Sequence, residues 1–169
     1  RKTLKDAPIM WRRINSIGII LDCNSTYAAN LGYAKSEILG KPIFEHVSKE
    51  SWTTMNDSLK IWFETGKVTD REITFVRQDE TTFLGLLQAT SLYDENKNVL
   101  GSNTVIFDLT QMTDENIKKY EVFFTETNQR LDEIKEKEYD QLDKNSKSEH
   151  DGLKEMFQML SEIDLKKLK

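Results

Sequence analysis

Three extended segments follow one another in the middle of the chain, at 68–77, 81–92 and 99–109. They are rich in β-branched and aromatic residues, and only short polar stretches separate them. The stretch between the last two, Asp94 to Lys97, is typical of a turn, so these two segments are expected to pair as a hairpin. Segments joined this closely pair antiparallel, because a parallel pair needs a long crossover connection. An antiparallel sheet is therefore the framework around which the rest of the chain must be arranged.

Further strands and helices can be placed around this framework. The segment 9–21 is interpreted as two more short strands separated by a polar turn. Short helices are predicted at 25–31 and 36–39, each followed by a glycine, and a longer helix at 51–65 that ends at Gly66. The order of these elements predicts an α+β fold: a five-stranded antiparallel sheet with short helices and one longer helix on one face.

The other face of the sheet is also expected to be covered. The strand 81–92 is apolar in both alternating phases, whereas a half-exposed strand alternates apolar with polar residues. The residues concerned are Phe83 and Leu87 on one side and Leu84 and Leu86 on the other. Either the C-terminal part of the chain folds back over this face, or a second copy of the domain covers it.

The C-terminal part of the chain has a helical pattern instead. Thr113 followed by two acidic residues is a good helix N-terminus. The residues that then occupy the two core positions of a heptad repeat are Ile117, Tyr120, Phe124, Thr127, Leu131 and Ile134. This seam predicts a long coiled-coil-like helix at 111–142 and, because a two-stranded coiled coil needs a partner, a parallel homodimer. A polar linker at 143–152 and an amphipathic helix at 153–169 are expected to follow.

Composition narrows the class of partner. The chain has 29 acidic and 24 basic residues without a basic cluster, and this balance is unfavourable for nucleic-acid binding. Its single cysteine, Cys23, cannot form an intrachain disulfide and is typical of a reducing, cytoplasmic setting. No apolar run is long enough to span a bilayer. Because the chain begins at Arg1 and not at Met, it is expected to be a piece of a longer protein.

A series of short motifs runs through residues 7–110. The first half contains Gly18 followed by apolar residues and Asn24, then the turns Leu31-Gly32-Tyr33 and Glu37-Ile38-Leu39-Gly40 leading to Pro42. The second half contains Gly66 and Glu72 around the third strand, and Gly101 leading to the triplet Asp108-Leu109-Thr110. In this order the motifs resemble a PAS domain of the S-box kind, preceded by a lead-in at 1–6. Glu80 departs from the family pattern, which usually has glycine in that hairpin turn.

The resemblance implies a ligand pocket between the sheet and the helix 51–65. Helix residues at steps of three and four, and two residues before the helix, would face the sheet, with polar strand residues nearby. The candidates are Phe44, Val47, Met55, Leu59, Trp62, Phe63, Arg77, Gln88 and Asn103. The alternative is that the apolar members only fill the core.

The resemblance raises two cofactors, haem and a photoreactive flavin, and neither is expected in this chain. The identity of the ligand is left unknown. Haem-binding members of the family generally carry their ligating histidine on the long helix, and 51–65 has none, since His46 precedes it. The flavin-photoadduct branch needs a reactive cysteine in an Asn-Cys-Arg setting, whereas Cys23 precedes Asn24 at a strand end. One cysteine and two distant histidines give no metal-ligand spacing.

Taken with the resemblance, the sequence predicts a signalling module and not an enzyme. A ligand- or redox-dependent change would pass from the sensor domain through Asp108, Leu109 and Thr110 into the C-terminal signalling helix. Nucleophile-elbow, phosphate-loop and dinucleotide motifs are absent. Two alternatives stay open: a structural dimerisation domain without a ligand, and a fragment of a two-component histidine kinase with part of its phosphoacceptor region at His150. Against the second, Gly152 is expected to interrupt the helix and leave a solvated linker.

Overall fold

The computed structural model of the chain describes residues 2–169, with side chains from Leu4 onward. The described residues contain one five-stranded sheet in the order β2-β1-β5-β4-β3, and every neighbouring pair is antiparallel. The strands are β1 (Met10–Ile14), β2 (Ile20–Cys23), β3 (Lys67–Val76), β4 (Thr82–Tyr93) and β5 (Val99–Asp108). The predicted five-stranded antiparallel sheet is therefore confirmed, with strand bounds close to those expected.

Seven helices accompany the sheet in this part of the chain. They are α1 (Lys2–Lys5), α2 (Ser25–Leu31), α3 (Lys35–Ile38), α4 (Trp52–Thr65), α5 (Asp114–Asp132), α6 (Glu136–Asp140) and α7 (Lys144–Ser161). Short 3₁₀ turns lie at Ile43–His46, Lys49–Ser51, Leu109–Gln111 and Leu165–Leu168. None of the described helices is both long and apolar enough to cross a bilayer.

Local sequence explains several helix ends. The side chain of Asn24 accepts the backbone N–H of Tyr27 at 2.9 Å and so caps α2, and Gly32 ends that helix with φ of 80°. Thr113 caps α5 by accepting the N–H of Asn116 at 3.2 Å, as the sequence predicted. Glu80, in the β3–β4 turn, has φ of 71°, so the turn keeps the left-handed residue although it lacks glycine.

The two faces of the sheet bury different cores. The inner core lies under α2, α3 and α4, where Leu87 and Ile106 from the strands pack with Met55 from α4. The outer core lies under the C-terminal helices, where Phe107 of β5 packs against Phe124 of α5. Both faces are covered, as the two apolar phases of β4 predicted, and the outer cover is the chain's own C-terminal part.

The C-terminal helices depart from the prediction in their bounds. The helix expected at 111–142 ends at Asp132, and the expected linker at 143–152 is helical, because α7 begins at Lys144. The carboxylate of Asp143 caps α7 by accepting the N–H of Ser146 at 2.7 Å. Gly152 lies inside α7 and is buried against β4, where an added Cβ would stand 2.4 Å from Cδ2 of Leu92. This glycine therefore permits a close approach of helix and sheet and does not interrupt the helix.

Helices α5 and α7 form an antiparallel hairpin over the sheet. Asn128 of α5 donates to the carbonyl of Phe157 in α7 at 3.1 Å, and Lys154 pairs with Asp132 at 3.6 Å. Five of the six predicted seam residues are buried in this outer core: Ile117, Tyr120, Phe124, Thr127 and Leu131. Ile134 follows the end of α5 and is half-buried. The predicted seam is thus not a free coiled-coil face, because its apolar side is already used against the chain's own sheet and α7.

Candidate functional site

A small cavity lies between α4 and the inner face of the sheet. Its volume is about 20 Å³, roughly the space of one water molecule. Its walls include Met55, Leu59 and Trp62 from α4 and Arg12, Ser102 and Thr104 from β1 and β5. The indole N–H of Trp62 donates to the Ser91 hydroxyl of β4 at 2.7 Å and ties the helix wall to the sheet wall.

Three of the predicted apolar residues, Met55, Leu59 and Trp62, line this cavity, and the others do not. Val47 is buried beside it in the inner core, and Phe44 is half-buried with its ring 6.0 Å from that of Trp52. Phe63 is 63% exposed, so its prediction as a pocket residue is wrong. The reason is helix geometry, because Phe63 follows Trp62 by one residue and so points about 100° away from it.

The three predicted polar residues also lie elsewhere. Gln88 and Asn103 are on the outer face, since they alternate with the inward-facing Ala89 and Thr104. Asn103 accepts the indole N–H of Trp11 at 3.1 Å, and Gln88 donates to the carboxylate of Asp70 at 2.8 Å. The prediction of these two residues as pocket polar groups is wrong. Strand alternation along β4, counted from Leu87 as an inward residue, excludes Gln88, and the pairing of Leu87 with Ile106 then places Asn103 outward as well.

The polar residue that the sequence reading missed is Arg12 on β1. Its side chain is 1% exposed and lines the cavity, and its Nη1 donates to the hydroxyl of Tyr27 at 3.2 Å. That hydroxyl lies 3.2 Å from Nδ1 of His46. Burial and then the charge of Arg12 lower the pKa of His46 to about 4, so the imidazole is neutral at pH 7. Alternation along β1 puts Arg12 and Arg13 on opposite faces, so the sequence signals that one of these two arginines lies inside, and the structure shows that it is Arg12.

Cys23 lies in the same inner core and is 1% exposed. Burial raises the pKa of its thiol to about 11, although the nearby Lys35 lowers it. Only a very small fraction of this thiol is ionised at pH 7, and thiolate is the reactive form in redox chemistry. Cys23 is therefore an inert thiol of the inner core, and it does not line the cavity.

A second polar cluster surrounds Asp108, where β5 leads towards α5. One carboxylate oxygen accepts the N–H and the hydroxyl of Thr110 at 2.9 and 2.6 Å. The other lies 3.5 Å from Nη2 of Arg77 at the end of β3. Arg77 in turn donates from Nε to the carbonyl of Asn30 at 3.0 Å. Arg77 therefore belongs to this junction, and its prediction as a pocket residue is wrong. Leu109 is half-buried and Thr110 is exposed.

His150 lies in α7 and not in a solvated linker. It is half-buried, and its ring stands 5.6 Å from that of Tyr139, whose hydroxyl donates to Asp151 at 2.7 Å. The surroundings of His150 are therefore a packed helix–helix contact.

Comparison with known proteins identifies the class of domain. The family model described as "PAS domain" matches residues 7–111, which is more than half of the chain. The chain therefore belongs to the PAS domain family. No curated protein matches the chain.

Solved structures share the fold at low identity. The PAS domain of a protein from Colwellia psychrerythraea aligns with a TM-score of 0.59 and 19% identity, over 63% of this chain and 91% of that one. The Drosophila melanogaster Cycle PAS-B domain with bound ethylene glycol aligns with a TM-score of 0.55 and 17% identity, over 59% and 99%. The PAS domain of a LuxR-family transcriptional regulator from Burkholderia thailandensis, in complex with ethanol, aligns with a TM-score of 0.54 and 18% identity, over 64% and 96%.

Proposed function

We propose that this chain is a sensor and relay module in a larger signal-transduction protein, without catalytic activity of its own. A small molecule enters the inner cavity and changes how α4 packs on the sheet. The change reaches α5 and α7, which act as the output. A cytoplasmic location is part of this proposal, because a single free thiol is typical of a reducing compartment.

The observation that carries the proposal is the position of the cavity relative to the output helices. Ser102 and Thr104 of β5 line the cavity on the inner face. Val105 and Phe107 of the same strand pack on the outer face against the C-terminal helices. One strand thus contacts both the cavity and the output. A displacement of β5 on one side must alter packing on the other, because close-packed interiors transmit strain.

The Asp108 junction offers a second route for the same change. Asp108 is the last residue of β5, and its carboxylate contacts the turn that leads into α5 as well as Arg77, which directly follows β3. A small tilt of β5 would therefore be passed to the start of α5 through a charged, nearly buried side chain.

The solved relatives support a cue of small molecular size. The Cycle and Burkholderia thailandensis domains hold ethylene glycol and ethanol respectively. A cavity of about 20 Å³ in this chain has room for one small group, and larger ligands would need α4 to move.

A ligand screen by thermal unfolding tests the proposal, because a molecule that binds only the folded state must stabilise it. We expect at least one small molecule to raise the melting temperature and to change amide hydrogen exchange in α5 and α7. Leu59→Trp, which fills the cavity, should abolish both effects, whereas Lys60→Trp, on the exposed side of the same helix, should keep them. A ligand that stabilises Leu59→Trp equally well would show that it binds elsewhere. If no ligand acts, the structural dimerisation alternative is favoured.

We further propose that dimerisation through α5 requires this helix to leave the sheet. The seam that would form a parallel homodimer is buried against β5 and α7, so docking and pairing compete for one apolar face. Light scattering on the purified chain tests this. A ligand or a substitution that undocks α5 and α7 should convert monomer to dimer, and an unchanged mass on undocking would contradict the proposal.

A further inference from the structure

The inner cavity contains a cation without a counter-ion. The guanidinium of Arg12 is 1% exposed, and the partner that the structure gives it is the neutral hydroxyl of Tyr27. Its Nε is buried without a hydrogen-bond partner. Within the described part of the chain, Arg12 forms no ion pair. A buried charge in this state is unfavourable, and proteins normally pair it with an acid.

The surroundings of Arg12 compensate its charge only in part, through the face of the Tyr27 ring, whose centroid lies 5.9 Å from the guanidinium carbon. The ionisable groups nearest to it are Tyr27 and His46, and burial keeps both neutral at pH 7. Cys23, also in this core, is a neutral thiol. The net charge of the inner core is therefore positive. An apolar side chain at position 12 would fill the same space without the cost of a buried charge. We therefore expect the guanidinium to bind a group that enters the cavity from outside.

The side chains around the cavity indicate which chemical class of ligand would bind Arg12. A guanidinium presents N–H donors in a planar fork that matches a carboxylate. The hydroxyls of Ser102 and Thr104 lie on the sheet wall beside Arg12, whereas Met55 and Leu59 form an apolar wall on α4. Met is flexible, so this wall can yield to a short hydrocarbon chain. The available space is about that of one water molecule, so even a short acid requires the side chains of α4 to move, and large acids are excluded.

We propose that the inner cavity binds a small aliphatic monocarboxylate, with its carboxylate on Arg12 and its alkyl group against α4. This inference rests on the proposed sensor function and names the ligand class of the same site. Binding neutralises the buried guanidinium, and the alkyl group displaces the side chains of α4. The apo and bound states of the cavity therefore differ in both charge and packing.

The test compares sodium propionate, the neutral propionamide and sodium chloride at equal ionic strength on the 169-residue chain. Thermal unfolding is measured for the wild type, for Arg12→Met and for Arg13→Met. Arg13 is a matched control on the same strand, because its side chain points to the outer face and donates to Asn103. We expect propionate to raise the melting temperature of the wild type and of Arg13→Met. Its apparent affinity for Arg12→Met should be weaker by roughly tenfold or more.

A second readout uses the wild type alone and does not depend on whether Arg12→Met folds. The pKa of His46, about 4 in the free protein, is lowered partly by the charge of Arg12. Propionate on Arg12 offsets that charge, so at pH 7, where propionate is ionised, it should shift the imidazole resonances of His46 in NMR spectra, whereas propionamide should leave them unchanged.

The outcomes separate this inference from the sensor function. If propionamide stabilises the protein as well as propionate does, the ligand is a neutral molecule, and the carboxylate inference is overturned while the sensor function stands. If chloride reproduces the effect of propionate on both readouts, the site binds inorganic anions and the inference is likewise overturned. If propionate at pH 7 changes neither the melting temperature nor the imidazole resonances of His46, the inference fails, and a wider screen without any stabilising ligand would overturn the sensor function too.

Discussion

Replacing Asp108 with alanine tests whether this residue couples the sheet to α5. The carboxylate accepts two hydrogen bonds from Thr110, at 2.9 and 2.6 Å, and lies 3.5 Å from Nη2 of Arg77. Asp108→Ala removes all of these contacts. Arg77 keeps its bond to the carbonyl of Asn30 and is partly solvated, so the substitution does not leave an unpaired buried charge behind.

The cost of this substitution can be estimated from its parts. Loss of a capping carboxylate typically costs about 1 kcal/mol. The ion pair with Arg77 adds about 1 kcal/mol or less, because the Arg77 side chain is 25% exposed and solvent screens the pair. We therefore expect Asp108→Ala to lower the free energy of unfolding by about 2 kcal/mol. Asp108→Asn keeps a capping oxygen for Thr110 and loses the charge, so it should cost about half as much.

Urea unfolding followed by tryptophan fluorescence measures both values, and amide hydrogen exchange over residues 109–117 reports the local effect. Asp108→Ala should also keep the thermal stabilisation by a cavity ligand but lose the ligand-dependent change of exchange in α5. Equal costs for Asp108→Ala and Asp108→Asn would refute the capping part of the reasoning. A ligand response in α5 that survives in Asp108→Ala would refute the coupling role.

Three further results are expected. The free energy of unfolding should fall by up to about 3 kcal/mol between pH 6.5 and pH 4. The reason is that His46 becomes protonated in the unfolded chain, whereas in the folded protein its pKa of about 4 keeps it neutral. Parallel urea titrations should show a smaller decline for His46→Gln, and equal declines would contradict this. Gly152→Val should cost more than about 2 kcal/mol through overlap with Leu92, whereas Val at the exposed Gln158 of the same helix should cost under about 1 kcal/mol. The thiol of Cys23, with a pKa of about 11, should react with Ellman's reagent at pH 8 only at the rate of unfolding, and fast labelling of the native protein would contradict its burial.

The sheet could be predicted because its signals are local. The turn between β4 and β5 depends on Asp94, whose side chain accepts the N–H groups of Asn96 and Asn98 at 2.8 and 2.9 Å. Because both alternating sets of β4 residues are apolar, both faces of the sheet were expected to be covered, and the structure covers both. These features follow from residues within a few positions of one another, so no knowledge of distant contacts was needed.

The candidate site was predictable only in part. Periodicity along 51–65 identified Met55, Leu59 and Trp62, because helix spacing alone determines that they share a face. The polar residues of the site could not be predicted in the same way. Their place depends on which side of the sheet each strand residue faces, and this depends on how β1, β4 and β5 pair with one another. Arg12 was missed and Asn103 was misplaced for this reason, since a shift of one residue reverses the face.

An antiparallel sheet, an apolar stripe on α4 and an apolar seam on α5 were all predictable from local sequence. What the seam contacts was not, because a second copy or the chain's own sheet can each bury an apolar face. Gly152 lets α7 approach β4 closely, so that α7 covers this face of the sheet. From the sequence alone, the same glycine was expected to interrupt the helix. Burial of a side chain depends on residues far apart in the chain, and so does the isolation of the Arg12 charge. Both are properties of the assembled fold.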